Sequence, residues 1–349
     1  MNLWESKTYL NDLEVGLEKL DLSSLRGKRL LITGATGLIG SAVVDLLLMA
    51  NRRWDMGMTV YAASRSAAKV LGRFPGGEAF GLCPVVYDAT RPVEFDFPVD
   101  CIVHGASNAS PDIYLKEPVD TMLSNIVGVQ HLLDYGVKVG IEKFVYISSS
   151  EVYGKQDHGQ PMREDCYGLV DILNLRSVYP VGKQAAETMC VAYVNRFGLD
   201  VSIVRPGHIY GPTAQRSDNR VSSAFVRQAA VGENLVMKSA GTQLRSYCHC
   251  IDCATAILTV LQKGERAQAY NISNPDSVIT IRQMSEIIAA AAGVQLLMDL
   301  PTEQEKAAFN PMDNSSLDSR KLEGLGWSGA FPAELGFDHS IKVLREIAE

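Results

Sequence analysis

LLITGATGLIGSAVV, residues 30–44, joins a short apolar run to a longer one through three glycines, Gly34, Gly37 and Gly40. The first run has the length of a buried strand and the second that of a buried helix. Glycine is needed where a backbone turns sharply, and where it must approach a phosphate without a Cβ in the way. A helix that starts at such a turn offers free N–H groups and the positive end of its dipole to an anion. The spacing is GxxGxxG rather than GxGxxG. With Thr36, Leu38 and Ile39 between the glycines, the segment reads as the phosphate loop of a dinucleotide-binding sheet. A plain tight turn between strand and helix is the simpler alternative.

Outward from this loop, strands and helices alternate. MTVYAAS, CPVVYD, VDCIVHGAS and KFVYISSS are strands, and PVDTMLSNIVGVQHLLDYGVKVG is a helix opened by Pro118. Alternation of this kind predicts an α/β fold, a Rossmann-type doubly wound parallel sheet. After about residue 205 the pattern loosens into shorter pieces, which predicts a smaller C-terminal α/β part that binds substrate. The expected organisation is a helical leader at 1–26, a dinucleotide-binding domain at 27–205 that carries the catalytic pair, and a mainly substrate-binding part at 206–349, some of whose segments return to the sheet.

Composition narrows the function classes. The 349 residues are 46% hydrophobic and 21% charged, with a net charge of −7 and no long basic run, so nucleic acid is not an expected partner. GLIGSAVVDLLLMA, the most apolar stretch, is broken by Asp45 and is too short to span a bilayer, so no membrane partner is expected either. The first twenty residues carry charges throughout and have no apolar signal region. Seven cysteines without that region read as reduced thiols in a cytoplasmic protein.

Several strand ends carry chemistry. AASRS ends the second strand in Ser64 and Arg65, where an NAD-binding chain usually has an acid for the ribose 2′-hydroxyl. Arg65 can pair with a 2′-phosphate, which makes NADP+ the alternative to NAD+, or it is a solvated cation stacking on adenine. Asp88 in VVYDAT is placed to accept from an adenine amino group, or is a surface aspartate. FVYISSSEVYG ends in Ser149, Ser150 and Glu151, facing the crevice of an open α/β sheet.

Thirty residues after Ser149, RSVYPVGKQAAE holds Tyr179 and Lys183 one helical turn apart, with Pro180 in the first turn. A free tyrosine, with pKa ~10, is about three units too weak an acid to serve as a base at neutral pH. Those units amount to about 4 kcal/mol, roughly what one cation ~4 Å away supplies at an effective dielectric of ~20. Lys183, helped by a positively charged nicotinamide, is therefore expected to make Tyr179 a usable proton acceptor, with Ser149 holding the same substrate oxygen.

Together these residues resemble the extended short-chain dehydrogenase/reductase (NAD-dependent epimerase/dehydratase) family acting on nucleotide sugars, across roughly residues 27–345. Among its members they are most similar to UDP-glucuronate decarboxylases. HGASNASPDIYLKEPVDTMLSN, SSSEVYG, RSVYPVGKQAAETMCVAY, NRVSSAFVRQA and GTQLRSY occur in that subfamily's order. The resemblance implies Ser149, Ser150, Glu151, Tyr179 and Lys183 as catalytic residues. It implies Ala89, Ala106, Ser107, Asn125 and Pro206 as further cofactor contacts, and Tyr114, Arg176, His208 and Arg245 as substrate contacts.

It also implies an NAD+ cofactor, no metal, a nucleotide-sugar substrate (a UDP-sugar favoured) and a homodimer packed through helices 118–139 and 178–197. The reaction it implies is transient oxidation at C4, loss of CO2 from the keto sugar, and reduction, so that the cofactor is recycled. A 4-epimerase would rotate the keto sugar instead, and a 4,6-dehydratase would use Glu151 at C5. A sensing regulator on the same fold is the non-enzymatic alternative. The chain departs from the subfamily at Ser64-Arg65, where Asp-Asn is usual, at His208, where asparagine is usual, and at Ser149, where threonine is commoner.

YCHCIDC brings Cys248, His249, Cys250 and Cys253 together in sequence. Read as a strand, it puts Cys248 and Cys250 on one face and His249 on the other. Zinc sites use paired elements and no second pair exists, so these read as buried thiols, and the resemblance implies a strand that ends in Asp252 before a helix.

Overall fold

In the first strand of the sheet Leu30 and Ile32 pack into one layer of helices and Leu31 into the other. A strand buried on both faces belongs inside a parallel sheet. The computed structural model, which describes residues 2–107, 109, 114–156, 159–299 and 313–348, places it there. Residues 108 and 110–113 of the HGASNASPDIYLKEPVDTMLSN segment lie outside the described residues.

The elements run α1 (Lys7–Glu18), β1 (Arg29–Thr33), α2 (Leu38–Trp54), β2 (Thr59–Ser64), α3 (Ala67–Arg73), β3 (Leu82–Val86), β4 (Cys101–His104) and α4 (Pro118–Val139). Then follow β5 (Lys143–Ile147), α5 (Val178–Phe197), β6 (Val201–Pro206), β7 (His208–Tyr210), α6 (Val221–Ala230), β8 (Leu235–Met237) and β9 (Leu244–His249). Last come α7 (Cys250–Lys263), β10 (Ala269–Ile272), α8 (Ile281–Ala292) and α9 (Ala333–Glu346).

Seven strands pair in parallel in the order β10-β6-β5-β4-β1-β2-β3. The order reverses between β1 and β4, and a doubly wound sheet opens its ligand crevice at such a point, beyond the strands' C-terminal ends. α2 and α7 cover one face of the sheet, while α4 and α5 cover the other. β7 and β9 start a second, smaller sheet, flanked by α6, α8 and α9 around Tyr210, Tyr247 and Phe337. Residues 250–272 return to the main sheet, with α7 in its covering layer and β10 at its edge.

The break that Asp45 makes in the apolar helix α2 has a structural use. Its fully buried carboxylate accepts from Trp4 Nε1 at 2.7 Å and from the Tyr9 hydroxyl at 2.6 Å, and it pairs with the Arg73 guanidinium. The leader is held at its other side by the last helix. Ser6 Oγ and Thr8 Oγ1 donate to Glu346 at 2.5 and 2.7 Å, and Asp12 meets His339 Nδ1 at 2.7 Å. α1 thus ties the helix of the phosphate loop to the end of the chain. Among the described residues no helix is long and apolar enough to cross a membrane. Val119 and Leu123 on α4, with Val191 and Phe197 on α5, are exposed.

Removing the Asp45 carboxylate leaves a nearly buried guanidinium and a buried phenol without their acceptor. Asp45→Ala should cost about 3–5 kcal/mol and Tyr9→Phe about 1 kcal/mol, measured by urea denaturation. Equal and small losses would show that the leader is not anchored there.

Candidate active site

β5 ends at Ile147, and the serine run turns at once into a single 3-10 turn, Ser150–Tyr153. Ser149 caps that turn, its Oγ accepting from the Glu151 N–H at 3.2 Å. This fixes Ser149 and Glu151 at the mouth of the crevice. Tyr179 stands in the first turn of α5 with Lys183 one turn later, as the sequence spacing requires. The phenol of Tyr179 lies beside Ser149 and near the Glu151 carboxyl. Tyr114, fully buried, stacks on the Tyr179 ring at 5.5 Å between centroids and 10° between planes.

These groups open into a cleft of about 720 Å³. Ser149, Ser150, Glu151, Tyr179, Lys183 and Arg176 line it, together with Ile39, Ser107, Pro206, His208 and Arg245. Asn125 sits behind Ser107, whose hydroxyl donates to Asn125 Oδ1 at 3.0 Å. Ala106 N donates weakly to Thr33 Oγ1, at the end of β1. Ala89 packs against Gly128 of α4, where a Cβ would come within 2.4 Å of the Ala89 carbonyl.

The protein's own groups, without the nicotinamide charge that the expectation includes, do not acidify Tyr179. Burial, and then the Glu151 carboxylate, push the phenol above its ordinary range, opposed by the Ser149 hydroxyl and by Arg220. Lys183 is itself fully enclosed. Burial lowers its pKa to about 7, so at neutral pH it carries only part of a charge. Its Nζ donates to the Ile147 carbonyl at 2.8 Å and lies 4.7 Å from the centre of the Tyr146 ring, against 5.8 Å for Tyr179. The sequence reading took a full charge, and here the charge is partial and held on the Ile147 carbonyl.

Beneath Lys183, Tyr146 stacks on His104. Thr33 Oγ1 accepts from the Gly105 and Ala106 N–H groups and meets His104 Nδ1 at 2.6 Å. Its one proton therefore goes to Nδ1, which assigns His104 the neutral Nε2–H form, consistent with a pKa that burial lowers to about 3. The end of β1 is thereby connected to the site's lysine.

Sequence reasoning missed Arg220. It precedes α6, is clamped by the Asp218 carboxylate and lines the cleft. Arg220 and Arg245 both act on His208, whose pKa burial lowers to about 3, so this wall is cationic while the histidine stays neutral. NRVSSAF was the available signal, but an arginine in a polar loop carries no spacing rule that marks it.

The YCHCIDC reading needs correction. β9 ends at His249 and Cys250 already begins α7, so the motif is half strand and half helix, with Asp252 in the first helical turn rather than at the strand's end. The Asp252 carboxylate accepts from the Ala330 and Phe331 N–H groups at 2.7 and 3.1 Å. Among the described residues the three cysteines are buried, and no cluster of three His, Cys, Asp or Glu is placed to hold a metal.

A dinucleotide fits the glycine turn. A Cβ on Gly34 would stand 2.8 Å from the Gly105 backbone, and one on Gly40 would stand 2.3 Å from the Gly34 carbonyl. Gly37 caps α2 without a side-chain acceptor, so the first-turn N–H groups of Leu38, Ile39 and Gly40 are left for an anion. The carbonyls of Thr36 and Leu38 are taken by Gln215 Nε2 and Thr213 Oγ1 at 3.0 and 2.7 Å. Past β2, Ser64 Oγ donates to the Ser66 carbonyl and Arg65 is exposed. Asp88 accepts from Thr90 in a tight turn, which holds its carboxyl below the usual range, with Arg65 adding a small pull.

The model of the NAD dependent epimerase/dehydratase family matches residues 30–273. The chain belongs to that family. It is 29% identical over 332 residues to UDP-glucuronic acid decarboxylase 1 of Xenopus tropicalis, covering 94% of this chain and 75% of that one. It is 32% identical over 305 residues to UDP-glucuronic acid decarboxylase 3 of Arabidopsis thaliana, covering 86% and 84%. Its fold is similar to that of the UDP-glucuronic acid 4-epimerase from Bacillus cereus, solved with UDP-glucuronic acid and NAD. There the TM-score is 0.77 at 20% identity, over 91% of this chain and 99% of that one.

A lysine NMR titration should find one lysine with pKa near 7, absent in Lys183→Met. Tyr146→Leu should lower that value further by removing the ring face, and Tyr146→Phe should leave it in place. A lysine whose folded pKa lies below ~10.4 resists protonation in the fold. Its cost is full below about pH 7 and is relieved as pH rises toward ~10.4, so Lys183 adds stability with pH across that window. Lysines that all titrate near ~10 would contradict the placement.

Proposed function

We propose that the chain is a nucleotide-sugar enzyme that oxidises its substrate transiently at C4 and decarboxylates a UDP-glucuronate-type sugar, working as a homodimer through α4 and α5. The observation that carries this reading is the meeting of Ser149, Tyr179, Lys183 and Glu151 in one cleft, between the glycine turn and a wall holding Arg220 and Arg245. The exposed apolar residues of α4 and α5 support the dimer.

The glycine turn and the α2 N-terminus would hold the diphosphate of NAD+, with Asp88 and Arg65 beside its adenosine. Bound there, a nicotinamide would supply a reversible hydride acceptor. With the positive charge of a bound nicotinamide and of Lys183 opposing its burial, Tyr179 would take the proton of the sugar 4-hydroxyl and give it back, while Ser149 keeps that oxygen in place. Arg220 and Arg245 answer the diphosphate of the sugar nucleotide, and neutral His208 lies beside them without adding charge. Glu151 is pushed by burial toward its neutral form, with Arg176 opposing. A neutral carboxyl there does not repel the substrate carboxylate, and it can deliver a proton to the carbon that has lost CO2.

Tyr179→Phe should lower the rate of CO2 release from UDP-glucuronate by about 10³-fold, and Glu151→Gln by at least about tenfold. Full turnover in Tyr179→Phe would overturn the mechanism. Arg65 admits a 2′-phosphate without requiring it. Arg65→Ala should therefore weaken NADP+ by about tenfold and leave NAD+ within about twofold, measured by calorimetry.

A further inference from the structure

α6 walls the cleft on one side only. Val221 and Phe225 face the cleft, whereas Ser223, Val226, Arg227 and Ala230 face a second cavity of about 310 Å³, and Ser222 borders both. The second cavity lies between the segment 211–216, α6 and the last turns of the chain around Leu344 and Ile347. Its walls are apolar and its size is that of a small-ligand pocket.

The cations at this cavity are what identify an occupant. Arg216 is exposed and makes no hydrogen bond or ion pair among the described residues. Arg227 donates only to the backbone carbonyls of Gln215 and Asp218. Arg345, on the neighbouring helix, likewise donates only to the carbonyls of Ala229, Ala230 and Ala292. The carboxylates close by are committed elsewhere, Asp218 to Arg220 and Ser223, and Glu346 to Ser6 and Thr8. An apolar cavity beside arginines that no carboxylate answers is complementary to an anion with an apolar body.

We propose that this cavity binds a small amphiphilic anion, its apolar part against Val226, Leu344 and Ile347 and its acidic group on Arg216 and Arg227. The proposal does not rest on the reading of the cleft. It gives the occupant a route to it, however. The segment 211–218 holds the phosphate-loop carbonyls through Thr213 and Gln215, and leads directly into Arg220.

The test uses 1-anilinonaphthalene-8-sulfonate, an aromatic body with one sulfonate, titrated by fluorescence into the full chain with and without saturating UDP and NAD+. One saturable site per chain that UDP and NAD+ do not displace is expected. Ala230→Phe, which fills the cavity, and Arg216→Glu, at an exposed position where folding is not at stake, should each weaken binding about tenfold or more. N-phenyl-1-naphthylamine, the same body without the sulfonate, should bind at least about tenfold more weakly to the wild type. Displacement by UDP or NAD+ would assign the probe to the cleft, and equal binding by both variants would overturn the site. Equal binding of the uncharged probe would overturn its assignment to an anion.

Discussion

A backbone contact that leaves no room for a side chain governs the architecture. Gly40, in the first turn of α2, lies so close to the Gly34 carbonyl that a Cβ there would overlap it, and Gly34 is pressed as closely against Gly105 at the end of β4. The two neighbouring strands at the switch point and the first helix are thus locked at one corner. That corner aims the α2 N-terminus along the crevice. The remaining parts follow from it: β5 delivers Ser149 and Glu151 to the same edge, and α5 brings Tyr179 across to meet them.

Burial, rather than a fixed charge, sets the protonation states in the cleft. It raises Tyr179 and Glu151 and lowers Lys183 and His208, so each of the four is shifted toward its neutral form. Lys183 and Glu151 are thereby brought toward neutral pH, where a proton is exchanged most readily, whereas Tyr179 and His208 are carried away from it and stay neutral until a charged ligand enters. Around them Arg220, Arg245 and Arg176 supply positive charge where an anionic substrate would lie.

Much of this was legible in the sequence because it rests on local rules. The glycine turn, the apolar strands and the four-residue spacing of Tyr179 and Lys183 each follow from backbone sterics or helical period, and each lies where it was expected. The electrostatics were less legible, since the share of Lys183 in tuning Tyr179 depends on burial and on Nζ lying against Tyr146, and neither is a property of spacing. Arg220 escaped notice because its place depends on the packing of the second, smaller sheet. YCHCIDC was misread where a strand passes into a helix without glycine or proline to mark the change.

The central claim is that the cleft removes CO2 from a C4-oxidised sugar and then protonates the carbon left behind. Its most direct test is proton NMR and mass spectrometry of UDP-glucuronate after incubation with the protein and NAD+ in heavy water. The account predicts a product lighter by one CO2, a UDP-pentose carrying deuterium at C5. A product that keeps its carboxylate and differs only in the configuration at C4 would contradict it.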